Sequence, residues 1–137
     1  MAKRVRELYD DTFQEELRGN DLLFVDFYAD WCGPCKAVAP VVERVAKEFE
    51  GRIAFGRLNT EGNPETASRY RVTSIPTLIL FRDGKSVTRL QGFQPDAALR
   101  ANLERYAPAV EAVVAPNTDV PAARGGGLLS RMFGRRS

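Results

Sequence analysis

Leu22 to Tyr28, L-L-F-V-D-F-Y, is apolar or aromatic at every position except Asp26. A run without alternation predicts a strand buried on both faces. Val38, Val41, Val42, Val45, Ala46 and Phe49 then recur at helical spacing among Lys36, Glu43, Arg44, Lys47, Glu48 and Glu50, and Gly51 stops the run. This pattern predicts a long amphipathic helix, kinked at Pro40. Ile53 to Leu58 reads as the next strand, Pro64 to Tyr70 as a short helix with proline in its first turn, and Thr77 to Phe81 as another buried strand. Asp83-Gly84 signals a hairpin turn into a strand from Ser86 to Gln91. Val5 to Leu8 reads as an edge strand, and Asp10-Asp11 as the cap of a helix running to about Arg18. Pro95-Asp96 opens a last helix with Leu99, Leu103 and Tyr106 on one face. The order β, α, β, α, β, α, β, β, α predicts an α/β fold, a central mixed sheet flanked by helices on both faces.

From about Pro108 the chain turns to Ala, Pro, Val and Gly, with Gly125-Gly126-Gly127 ahead of a basic end. One domain is therefore expected over residues 1–107 and a flexible, disordered basic tail over 108–137. The net charge of +2 comes from that tail, where Arg124, Arg131, Arg135 and Arg136 face only Glu111 and Asp119. The remainder balances, so it offers no clustered basic face for nucleic acid. The tail's mix of apolar residues and arginines suits weak contact with a membrane surface or partner, but it is too short for a stable helix of its own.

No stretch approaches the roughly 20 apolar residues of a membrane span, and the N-terminus has no apolar run of signal-peptide length. A cytoplasmic chain is expected.

The 137 residues hold two cysteines, Cys32 and Cys35, and no histidine. Three readings are open. A permanent staple would enclose only two intervening residues, a weak constraint on the unfolded chain. Structural zinc takes four ligands, and two thiolates without an imidazole fall short unless carboxylates or a second chain complete the set. The third reading is a reactive pair: a C-x-x-C between a buried strand and a helix sets the first sulfur among unpaired backbone amides at the positive end of the helix dipole. Such a site favours thiolate, and a second thiol one turn away can resolve a mixed disulfide. By this geometry Cys32 is the nucleophile and Cys35, further into the helix and more buried, the resolving thiol. Gly33 and Pro34 keep the turn tight and let a substrate backbone approach. Asp26, alone in an apolar strand, should have its pKa raised into a range useful for proton transfer.

W-C-G-P-C-K after V-D-F-Y-A-D resembles the active-site segment of the thioredoxin family. R-L-N-T-E-G-N-P, Y-R-V-T-S-I-P-T-L-I-L-F-R-D-G-K and L-Q-G-F resemble further thioredoxin stretches at the expected separations, so the likeness covers about residues 5 to 106. It implies the thioredoxin fold and a protein disulfide reductase that cycles Cys32 and Cys35 between dithiol and disulfide. Such an enzyme acts on disulfide-containing proteins, binds no cofactor or metal, and receives electrons from NADPH through thioredoxin reductase.

The resemblance also gives residues their roles. It implies that Asp26 deprotonates the resolving cysteine, that Pro76 is cis, and that the backbone of Ile75 pairs with an extended substrate segment. Trp31, Gly33, Pro34, Ile75, Pro76 and Gly92 would form an apolar rim, with a core position the alternative for Trp31. Arg57 stands where the family commonly has lysine. Since arginine does not give up its proton, it should hold Asp26 more ionised than lysine would, unless it points into solvent. Tyr28, often tryptophan in the family, and Phe93, often smaller, depart from the pattern. Two other classes stay in view: a protein-binding module of the same fold, and an oxidant or isomerase, since the dipeptide between the cysteines tunes potential.

Overall fold

The computed structural model describes residues 4–108; the tail expected over 108–137 lies, Pro108 apart, outside the described residues. Within them the elements are β1 (Val5–Leu8), α1 (Phe13–Gly19), β2 (Leu22–Tyr28), α2 (Gly33–Glu48), β3 (Ala54–Asn59), α3 (Pro64–Arg69), β4 (Thr77–Arg82), β5 (Lys85–Gln91) and α4 (Asp96–Glu104). The order is the one expected, and Tyr106 falls beyond the end of α4.

The strands form one sheet in the order β1-β3-β2-β4-β5. β3 pairs in parallel with β1 and β2, while β4 runs antiparallel to both β2 and β5. β2 is paired on both edges and covered on both faces, which is why its sequence does not alternate. Leu23, Val25 and Phe27 point into a cluster with Leu8, Phe13, Leu17, Leu58, Ile79 and Phe81, the face covered by α1. Phe24, Asp26 and Tyr28 take the opposite face, where Tyr28 packs against Cys32 and Cys35 at the start of α2. Ion pairs Arg44 to Asp96 and Arg100 to Glu48 hold α4 beside α2. Helices therefore cover both faces of a mixed sheet, and the cysteines sit at one end of its central strand.

Local chemistry explains the boundaries. α2 begins with Cys32 as N-cap and proline in its first turn, buries Val38, Val41, Val42 and Val45, and continues through Pro40. Proline removes one helical hydrogen bond there without ending the helix. Asp83 and Gly84 both adopt positive φ (50° and 82°), as a tight hairpin between β4 and β5 requires. At Gly56, on β3, a Cβ would stand 2.6 Å from Leu8 Cδ1, so the absent side chain is what lets Leu8 close over the strand.

The expected cap of α1 is corrected. That helix starts after Thr12 with no side-chain cap bond. Asp10 instead caps α3, accepting from the backbone N–H of Glu65 (3.1 Å) and Thr66 (2.8 Å). Local sequence favours the nearer helix, but the parallel pairing of β1 and β3 brings the end of β1 beside the start of α3.

Candidate active site

Cys32 and Cys35 are joined as a disulfide, with Cα atoms 5.2 Å apart. Cys32 lies outside the helix in extended backbone (φ −87°, ψ 116°), and its Sγ accepts the N–H of Cys35 at 3.1 Å. The sulfur thus takes a capping hydrogen bond and meets the positive end of the α2 dipole, both of which stabilise a thiolate. The expected difference in burial is not present: both cysteines are 4% exposed. The disulfide draws both sulfurs into one cluster with Tyr28 and Ile75, so position in the helix, not accessibility, distinguishes them.

The residues expected at the rim converge in part. Ile75 packs against the Tyr28, Cys32 and Cys35 cluster. The Ile75–Pro76 bond is cis, and the carbonyl of Pro76 accepts the N–H of Gly92 at 2.9 Å, tying the two loops together. Gly33 and Pro34 are exposed at the helix start. Trp31 is 66% exposed and so not a core residue; its Nε1–H donates to Glu61 Oε2 at 2.6 Å. Phe93, 48% exposed, adds a second large apolar surface next to Gly92.

Asp26 is buried in β2, directly beside Arg57 of β3 in the sheet register and two residues before Tyr28, which packs against the cysteines. Burial pushes its pKa up to about 7, against the opposing pull of the Arg57 cation and with a smaller push from Glu7. Arg57 does not simply point into solvent. Its guanidinium carbon stands 3.8 Å from the centre of the Tyr28 ring, and its Nε is 3.9 Å from Glu7 Oε1. A cleft of about 240 Å³ runs beside this group, lined by Tyr28, Asp30, Cys35, Lys36 and Arg57 among others. Cys35 and Arg57 thus open onto one space.

Three contributors escaped the sequence: Glu7, the hydroxyl of Tyr28 and Glu61. The Tyr28 hydroxyl donates to Glu7 Oε2 at 2.6 Å. Glu7 carries a weak local signal, since the alternation of V-R-E-L sets it on the face of Val5, but its partners depend on the sheet order. No signal marks Glu61. Among the described residues no group of three or more His, Cys, Asp or Glu side chains is arranged to hold a metal ion, and no helix is long and apolar enough to cross a membrane.

The family model described as Thioredoxin matches residues 4–105. The thioredoxin of Synechocystis sp. is 43% identical over 101 residues, 73% of this chain and 94% of the relative. That of Alicyclobacillus acidocaldarius is 45% identical over 96 residues, 70% of this chain and 91% of the relative. The structure of Plasmodium falciparum thioredoxin superposes with a TM-score of 0.70 at 34% identity, covering 75% of this chain and all of that one. Sheet order, cysteine spacing and relatives agree over the same stretch, and the chain belongs to the thioredoxin family, as a dithiol–disulfide reductase acting on disulfide-containing substrates.

Proposed function

We propose that Cys32 carries the attack on substrate and Cys35 the release. In the reduced enzyme the Cys32 thiolate attacks one sulfur of a substrate disulfide, forming a mixed disulfide and expelling the other sulfur as thiolate, which takes up a proton. Cys35 then loses its proton and attacks Cys32 Sγ, closing the Cys32–Cys35 disulfide and releasing the second substrate thiol. Two electrons pass to substrate and the enzyme is left oxidised. The observation that carries this assignment is the hydrogen bond from the Cys35 amide to Cys32 Sγ at 3.1 Å.

Asp26 takes the proton of Cys35; what supports this is that Arg57, the register partner of Asp26, lines the same cleft as Cys35. A carboxyl poised near pH 7 is matched to that task. Trp31, Gly33, Pro34, Ile75, Pro76 and Gly92 dock the substrate, with the Ile75 backbone pairing to an extended segment around its disulfide. Re-reduction runs from NADPH through thioredoxin reductase, with no cofactor resident on this chain. The cytoplasm, where thiols are kept reduced, is the compartment in which such a reductant operates. Residues 1–107 form the catalytic domain, and 108–137 a tail outside the chemistry.

The test is reduction of insulin driven by NADPH and thioredoxin reductase. The wild type should be active, Cys32→Ser inactive, and Cys35→Ser trapped as a stable mixed disulfide through Cys32. A Cys32→Ser variant that still reduced insulin would overturn the assignment. A potential of the pair near −270 mV, the general figure for thioredoxins and not a value obtained from this site, separates a reductant from oxidants at about −180 to −120 mV.

A further inference from the structure

The register of the three parallel strands lines up a transverse row of charge. Glu7 of β1 pairs with Arg57 of β3, and Arg57 in turn pairs with Asp26 of β2. Paired residues in adjacent strands project to the same face, so the three side chains stand in sequence as anion, cation and buried carboxyl. Tyr28 lies two residues along β2 from Asp26, on that same face. Its hydroxyl donates to Glu7 at 2.6 Å while its ring lies under the Arg57 guanidinium at 3.8 Å. Burial and the Glu7 bond push ionisation of this phenol well above its ordinary range, so it remains a donor throughout the working pH range.

Arg57 is thereby engaged from two sides, by the Tyr28 ring and the Glu7 carboxylate, and neither contact is with Asp26. Oδ1 of Asp26 and Nε of Arg57 are both buried with no hydrogen-bond partner among the described residues. Had the guanidinium closed on Asp26 in a bidentate pair, the carboxyl would be held as a permanent anion and lost to proton transfer. The other groups around the row are few: Asp30 and Lys36 line the adjoining cleft, and β4 presents Leu78 opposite Asp26.

We propose that Glu7, locked by Tyr28, is a positioning residue for the reaction: it draws the Arg57 guanidinium to the Tyr28 ring and balances its charge, leaving Asp26 able to accept the proton released at Cys35. This rests on Asp26 being the proton acceptor. The Tyr28 ring also packs against the cysteines, but in this role Glu7 and the Tyr28 hydroxyl act through Arg57.

The experiment is a titration of the Asp26 carboxyl by carbon-detected NMR in the full chain, with the pH profile of insulin reduction measured alongside. Glu7→Gln keeps shape and removes charge; Tyr28→Phe keeps the ring and removes the tether. Two strand spacings separate Glu7 from Asp26, about 10 Å, and at that range loss of the anion should lower the Asp26 midpoint by roughly half to one pH unit. Tyr28→Phe should move it the same way by less. An unchanged midpoint in a folded Glu7→Gln variant overturns the proposal, and a shift in Glu7→Gln without one in Tyr28→Phe overturns the lock. If the midpoint moves but the pH profile of reduction does not follow, Glu7 still governs Asp26 and it is the role of Asp26 as acceptor that fails.

Discussion

Asp26 and Arg57 stand side by side in register across β2 and β3, yet Asp26 Oδ1 and Arg57 Nε are each buried without a hydrogen-bond partner among the described residues. A cation adjacent to a carboxylate ordinarily closes on it. Here the cation lies on an aromatic ring and beside a second carboxylate, so its effect on Asp26 is exerted at a distance. Burial therefore prevails, and Asp26 titrates at about 7.

That balance has a measurable cost in stability. Below about pH 4 Asp26 is protonated in both the folded and unfolded states and imposes no penalty. As pH rises toward 7 the unfolded carboxyl ionises while the folded one stays protonated, so stability falls; above 7 the deficit is constant. Asp26→Asn should remove this slope and make the protein more stable than wild type at pH 8 by about 2 to 4 kcal/mol. The same variant should reduce insulin at least about tenfold more slowly. Urea unfolding of variant and wild type at pH 4 and pH 8 checks the first effect and the insulin assay the second; a stability difference between Asp26→Asn and wild type that is the same at both pH values would refute the argument.

Arg57→Gln removes the one influence that holds the Asp26 pKa down. Its midpoint should climb above 7, on the order of one pH unit, and the pH at which disulfide reduction accelerates should move in the alkaline direction with it. Loss of the contact with the Tyr28 ring should add a modest destabilisation of about 1 kcal/mol. An NMR titration of Asp26 with parallel rate measurements distinguishes this from a variant that is merely less stable.

What the sequence revealed and what it concealed divide along one physical line. β2 and α2 were legible because their signals are local: an uninterrupted apolar run, helical spacing, and a C-x-x-C at the junction. The hairpin was legible because Asp-Gly suits the positive φ angles found at Asp83 and Gly84. Asp26 stood out as a carboxylate in an apolar strand. Glu7 did not, because its meaning comes from β3 lying between β1 and β2, an order no local pattern encodes. The cap supplied by Asp10 was misplaced for the same reason.

Asp10 itself offers a test of that long-range cap. Although desolvation acts to raise its pKa, hydrogen bonds from Thr66 and Glu65 outweigh it and hold the carboxyl below its usual value. Asp10→Ala should destabilise the domain by about 1 to 2 kcal/mol at neutral pH. The contribution is present above the ordinary carboxylate pKa of about 4 and is lost as pH falls through the lower folded value, so the gap between variant and wild type should close in acid. Chemical denaturation at pH 7 and pH 3 checks it, and a gap that persists unchanged at pH 3 would point away from the charged cap.

Gly92 connects the fold to the proposed docking surface. Its φ of 82° lies in the left-handed region, and its amide donates to the Pro76 carbonyl at 2.9 Å, which fixes the loop beside the Ile75–Pro76 segment. No atom stands within 4 Å of where a Cβ would be, so Gly92→Ala meets a backbone penalty and no clash. The penalty should be about 1 to 2 kcal/mol, and a shift of the loop to relieve it would displace the surface proposed to dock an extended substrate. Reduction of a protein disulfide should then show a KM raised severalfold, while a small aromatic disulfide, which needs only the cysteine pair and no extended docking surface, should be reduced at nearly the wild-type rate. Equal losses on both substrates would mean that Gly92 serves the cysteines and not the docking surface.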